Sequence, residues 1–100
     1  MSLEIRKKQN GSSLEIALAG SLDALTAPQL EAELQHGLDG VEELVFDYRD
    51  LTYISSAGLR MMVYANKQIS GSGRMKIIHI SGILREIFEV TGLTEMLDIE

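Results

Sequence analysis

Three observations predict an α/β fold: a single small mixed β-sheet of four to five strands flanked by α-helices. Strand-like and helix-like stretches alternate in the order ββαβαβα with a short tail. The helix-like stretches open on capping signals and close near glycines. The run Leu44-Val45-Phe46 is apolar at consecutive positions, the pattern of a strand covered on both faces. Such alternation calls for a sheet with crossover helices packed on it.

Taken in order, residues 2–8 and 13–19 read as two strands joined around Asn10-Gly11, a hairpin signal. In the second, Leu14, Ile16 and Leu18 alternate with Glu15, Ala17 and Ala19, so one face is the more deeply buried. The chain leaves this strand at Gly20. A helix then starts at Thr26 as N-cap, with Gln29 completing a capping box and Pro28 in the first turn, where its missing N–H costs little. Leu30, Leu34 and Leu38 form its buried stripe, and Gly40 ends it. After the strand "ELVFDYRD" comes a helix with Leu59, Met62, Val63, Asn66 and Ile69 at helical spacing, ending near "SGSG". The strand "MKIIHIS" leads through Ser81, an N-cap, into a helix with Ile83, Leu84, Ile87 and Phe88 inward. Gly92 closes that helix, and "MLDIE" adds a last short strand.

Length and composition limit the function. A chain of 100 residues buries one core and has no room for a second domain, so residues 1–100 form one unit. At 45% hydrophobic and 24% charged it is globular rather than disordered. No apolar run approaches the ~18 residues of a membrane span, and "MSLEIRKKQ" lacks the apolar core of a signal peptide, which points to the cytoplasm. The absence of cysteine excludes disulfides, thiolate zinc sites and cysteine nucleophiles. A formal charge of −6 argues against nucleic acid and anionic membrane as partners.

The stretch "DLTYISSAGLR", residues 50–60, concentrates the chemistry. Ser55 and Ser56 fall between a strand and the first turn of a helix, where free N–H groups and the helix dipole favour an oxygen or an anion. One reading is a plain helix cap. Gly58 fits that reading poorly, because glycine in a first turn loses roughly 1 kcal/mol against alanine. It suits a close approach of another backbone or a protein. No catalytic constellation accompanies the serines: "ISSAG" lacks the first glycine of the G-x-S-x-G nucleophile elbow, and neither His36 nor His79 is placed as a base. The "GSGR" at 71–74 is no phosphate-binding loop, the two histidines make no metal site, and Arg6-Lys7-Lys8 reads as a solvated strand end. No enzyme, cofactor or metal is expected.

"GSLDALTAPQL", then "LVFDYRDLTYISSAGLRMM", then "MKIIHISGILREIFEVTGLTEMLDI" resemble, in this order and over nearly the whole chain, the STAS domain of bacterial anti-sigma-factor antagonists. In that family the loop before the second helix reads D-S-[ST]-G-[LI], and its serine is phosphorylated by a partner kinase that is also the anti-sigma factor. The resemblance matches Ser56 to the phosphoserine, Gly58 to the glycine, and Asp23 to an aspartate near the phosphorylation site. Ser55 stands where antagonists often carry Asp, and Ala57 where a second Ser or Thr is common.

What the resemblance implies is a partner switch without turnover. Unphosphorylated, the domain docks the Asp23 loop and the start of the second helix onto an anti-sigma serine kinase of GHKL type, which releases a sigma factor. ATP, magnesium and the catalytic base belong to the kinase, and a phosphatase is the counterpart that resets the switch. The expected partner-binding residues are Leu22, Asp23, Ser55, Ser56, Gly58 and Leu59, with core packing the competing reading for Leu22 and Leu59. The domain itself is expected as a monomer or weak dimer. The alternative function within the family is a constitutive accessory subunit that binds a transporter ATPase or permease.

Overall fold

The computed structural model describes residues 2–100. The chain runs β1 (Leu3–Asn10), β2 (Ser13–Leu22), α1 (Ala27–Gly37), β3 (Glu43–Ile54), α2 (Ser56–Ile69), β4 (Arg74–Ile78), α3 (Gly82–Val90), a 3-10 turn (Leu93–Glu95) and β5 (Asp98–Ile99). The five strands form one sheet in the order β1-β2-β3-β4-β5. β1 and β2 are antiparallel, and every later neighbour is parallel.

This topology decides where the helices go. Each crossover from β2 to β5 steps to the next strand in the same direction, and crossovers are right-handed, so all three helices fall on one face of the sheet. On that face Leu14, Ile16 and Leu18 of β2, Leu44, Phe46 and Tyr48 of β3, and Met75 and Ile77 of β4 are buried. Leu30 and Leu34 of α1, Met62, Ala65 and Ile69 of α2, and Leu84 and Phe88 of α3 join them in one core cluster. The fold is therefore two layers, and the expectation that β3 is covered by helices on both faces is corrected. Val45 points to the open face, where its cross-strand neighbours are Glu15 and Lys76. The aliphatic stems of such side chains keep it buried without a helix above it.

Several element boundaries also differ from the sequence expectation. The hairpin turn is Gly11-Ser12, with Asn10 still paired to Ser13. β2 does not end at Gly20 but continues to Leu22 through register shifts that accommodate bulges. Gly20 has φ +102, and a Cβ there would overlap the carbonyl of Ser2, so this irregular stretch admits only glycine comfortably. At the start of α1, Thr26 makes no side-chain cap bond and Gln29 forms no capping box; the Gln29 amide donates instead to the carbonyl of Leu3 at 3.0 Å. α1 stops at Gly37, three residues short of Gly40. In α3 the cap at Ser81 is present, its Oγ accepting from the Leu84 N–H at 3.3 Å, but Ile83 faces outward. Among the described residues no helix is long and apolar enough to cross a membrane.

Candidate functional site

Because β2 and β3 are parallel, their C-terminal ends open at the same edge of the sheet and bring together the segments that follow them. Leu22 closes β2 opposite Ile54, the last residue of β3. The Ser55 N–H donates to the Leu22 carbonyl at 2.9 Å, which joins the loop bearing Asp23 to the start of α2. A Cβ on Gly58 would lie 2.7 Å from that same carbonyl oxygen and 2.6 Å from Ile54 Cγ1. Glycine is thus required here by the close approach of the two segments, the reason its position in a first turn is tolerated.

The two serines differ sharply. Ser55 is the N-cap of α2 with an extended backbone (φ −102°, ψ 179°), and its carbonyl accepts from the Leu59 N–H at 3.0 Å. Its hydroxyl makes no cap bond, is buried, and has no hydrogen-bond partner. Ser56 is the first residue of α2 and is exposed. No acidic side chain stands in that first turn. The plain-cap reading therefore fails for Ser55, whose oxygen lies in the cap position without bonding.

Asp23 is engaged in its own loop. Its Oδ1 accepts from the N–H groups of Leu25 at 3.0 Å and Thr26 at 3.1 Å. The Thr26 hydroxyl accepts from the Asp23 N–H at 2.9 Å and donates to the Ser21 carbonyl at 2.9 Å. These bonds fix the turn and leave Leu25 held out in solvent, 86% exposed. Tyr53, two residues before Ser55, is 46% exposed. Neither was singled out from the sequence, where an apolar residue beside a turn carries no signal of its orientation. Leu22 is fully buried: its side chain is core and only its carbonyl takes part in the site. Leu59 is half-buried and packs against the core, and Gly58 is buried.

A second polar cluster lies on the open face. His79 Nδ1 is 2.9 Å from Asp47 Oδ1, and its Nε2 is 3.1 Å from an Arg49 guanidinium nitrogen. Burial works to raise the Asp47 pKa, but the Arg49 N–H bond and the hydrogen bond and charge of His79 outweigh it and hold the carboxyl below its usual value. His79 has φ +58, rare for a non-glycine residue. The pairing joins residues 32 apart in sequence through the β3–β4 register, so only the fold reveals it. It does not include Ser55 or Ser56. Among the described residues no group of three His, Cys, Asp or Glu is arranged to hold a metal ion.

Residues 5–98 match a family model described as "Mlab, STAS domain". The chain is 29% identical over 100 residues to the anti-sigma-B factor antagonist of Bacillus subtilis (strain 168), covering 99% of this chain and 92% of that protein. A solved anti-sigma factor antagonist from Mycobacterium paratuberculosis superposes with a TM-score of 0.89 at 19% identity, over 98% of this chain and 85% of that one. The Bacillus protein SpoIIAA, an anti-sigma factor antagonist solved in its unphosphorylated form, superposes with a TM-score of 0.77 at 16% identity, over 97% of this chain and 87% of that one. These two superpositions establish a shared backbone over nearly the whole domain.

Proposed function

The chain belongs to the STAS domain family, and from that premise we propose that it is an anti-sigma-factor antagonist worked as a switch by phosphorylation of Ser56. The observation that carries the reading is the contrast within the serine pair. A kinase must reach the oxygen it modifies, and Ser56 is exposed while the Ser55 hydroxyl is buried. The relative from Bacillus subtilis supports the class of function through its name.

In this mechanism the unphosphorylated domain docks the Asp23 loop and the first turn of α2 on a GHKL-type anti-sigma serine kinase in the cytoplasm and so frees a sigma factor. The kinase supplies nucleotide, magnesium and base, and the domain supplies the acceptor hydroxyl. Ser56 then carries about −1.5 to −2 charges at neutral pH. Within the domain the start of α2, with no carboxylate in its first turn, tolerates that anion. At the interface the balance reverses. A unit charge facing a like charge ~5 Å away costs about 3 kcal/mol at an effective dielectric near 20, and half of that weakens binding about tenfold. Phosphate therefore releases the partner by repulsion, with the domain still folded.

Incubation with the kinase and ATP, followed by peptide mapping, tests the assignment: a single phosphate on Ser56 and none on Ser56→Ala. Calorimetric titration of both forms against the kinase tests the switch. The phosphorylated form binds at least about tenfold more weakly with an unchanged melting curve. Phosphate confined to Ser55 overturns the assignment. Equal affinities overturn the switch and favour constitutive binding, as in a transporter accessory subunit.

A further inference from the structure

α3 is more apolar than its packing requires. Its inward side consists of Leu84 and Phe88, both buried, with the Phe88 ring 6.1 Å from that of Tyr48. Ile83, Ile87 and Val90 recur at i, i+4 and i+7 and make a second stripe. Ile83 is 76% exposed, Val90 is 80% exposed, and Ile87 is half-buried between them. With Glu86 and Thr91 they line an open groove of about 300 Å³. One exposed apolar residue needs no explanation, whereas two in register on a helix, with the half-buried Ile87 between them, are the arrangement through which helices and grooves recognise each other.

The charge on the stripe selects its occupant. Glu86 flanks the stripe, lines the same groove and forms no ion pair among the described residues. Covering the stripe desolvates this carboxylate, which is costly unless a cation meets it. A second copy of the chain is a poor match. A two-fold contact centred on the stripe sets Glu86 against Glu86, and each copy carries a formal charge of −6. An uncharged lipid surface also leaves the carboxylate unpaired.

We infer that the Ile83–Ile87–Val90 stripe is a docking surface for an amphipathic helix of a partner protein that carries a lysine or arginine positioned to meet Glu86. This surface is set back from Ser56. β4 ends at Ile78, in register with Asp47, seven residues before β3 reaches Ile54, which is roughly 23 Å of strand. A partner held on α3 can therefore remain in place whether or not Ser56 carries phosphate, and the inference stands apart from the switch.

The test uses the full chain and two synthetic amphipathic helical peptides with the same leucine stripe, one flanked by lysines and the other by glutamates. Fluorescence anisotropy should show binding of the lysine peptide only. The double variant Ile83→Ser/Val90→Ser, whose melting curve is recorded alongside, should weaken it at least about tenfold. Glu86→Lys should transfer the preference to the glutamate peptide. Absence of binding overturns the inference, as does equal binding by all variants, which would reflect net charge alone. Sedimentation showing a dimer that the double variant abolishes would assign the stripe to a second copy. Binding to phosphatidylcholine vesicles that the double variant loses would assign it to lipid. Either result overturns the inference.

Discussion

The backbone N–H of Ser55 is bonded to the carbonyl of Leu22 at 2.9 Å, so the loop that follows β2 and the helix that follows β3 are held as one surface. Neither side chain needs to be seen by a partner for this bond to matter. It sets the positions of Asp23, Leu25 and Ser56 relative to one another.

Gly58→Ala tests that junction. The added methyl group meets the Leu22 carbonyl and Ile54, and one of the two segments has to move. A loss of about 1–3 kcal/mol in urea unfolding is expected, together with slower phosphorylation of Ser56. Unchanged stability would mean that the two segments are not held this closely.

Asp23 separates charge from position. Asp23→Asn keeps an oxygen for the Leu25 and Thr26 N–H groups and should cost only a few tenths of a kcal/mol, whereas Asp23→Ala should cost about 1 kcal/mol. If the residue acts by holding the loop, Asp23→Asn binds the partner like wild type and Leu25→Ser binds more weakly at unchanged stability. Lost binding by Asp23→Asn would show instead that the partner reads the carboxylate itself.

Ser55→Ala removes a buried hydroxyl that has no partner. The expected change in stability lies between zero and a gain of about 1 kcal/mol, with phosphorylation at Ser56 intact. A clear loss of stability in thermal unfolding would reveal that the hydroxyl caps α2 after all.

Tyr48 makes stability fall in alkali. Its ring is buried, its hydroxyl has no partner, and burial pushes its pKa far above the ordinary value. Above pH ~10 the unfolded chain loses this proton while the folded chain keeps it, so stability should drop by about 1.4 kcal/mol per pH unit. Tyr48→Phe should remove that contribution and gain up to about 1 kcal/mol at neutral pH. Denaturant curves of both proteins at pH 8, 10 and 11 decide it; an equal alkaline decline in the two would refute it.

Much of this architecture is legible in the sequence because period and capping chemistry are local. The alternation in β2, the stripe of Leu30 and Leu34, the Ser81 cap and the αL residue Gly92 all report on their immediate neighbours. Reading fails where the deciding partner is remote. Gln29 has the spacing of a capping box, yet the Leu3 carbonyl of the edge strand takes its amide. Ile83 has the spacing of a core residue, but which flank of α3 meets the sheet depends on how the helix is rolled against Tyr48. In the candidate site, Ser56, Gly58 and Asp23 stand out by motif. The burial of the Ser55 hydroxyl and the projection of Leu25 follow from the meeting of two loops that the sequence keeps about 30 residues apart.

Uniform stepping of the crossovers has a consequence for how this domain can drift over generations. With every helix on one face, only alternate side chains of the central strands are committed to packing, and those between them answer to solubility and to their cross-strand neighbours. Substitutions can accumulate on the bare face and reset the overall charge from lineage to lineage. The edge where Leu22 meets Ser55 is built from other residues, so the outward charge of the domain and the geometry of the candidate site are set independently of each other.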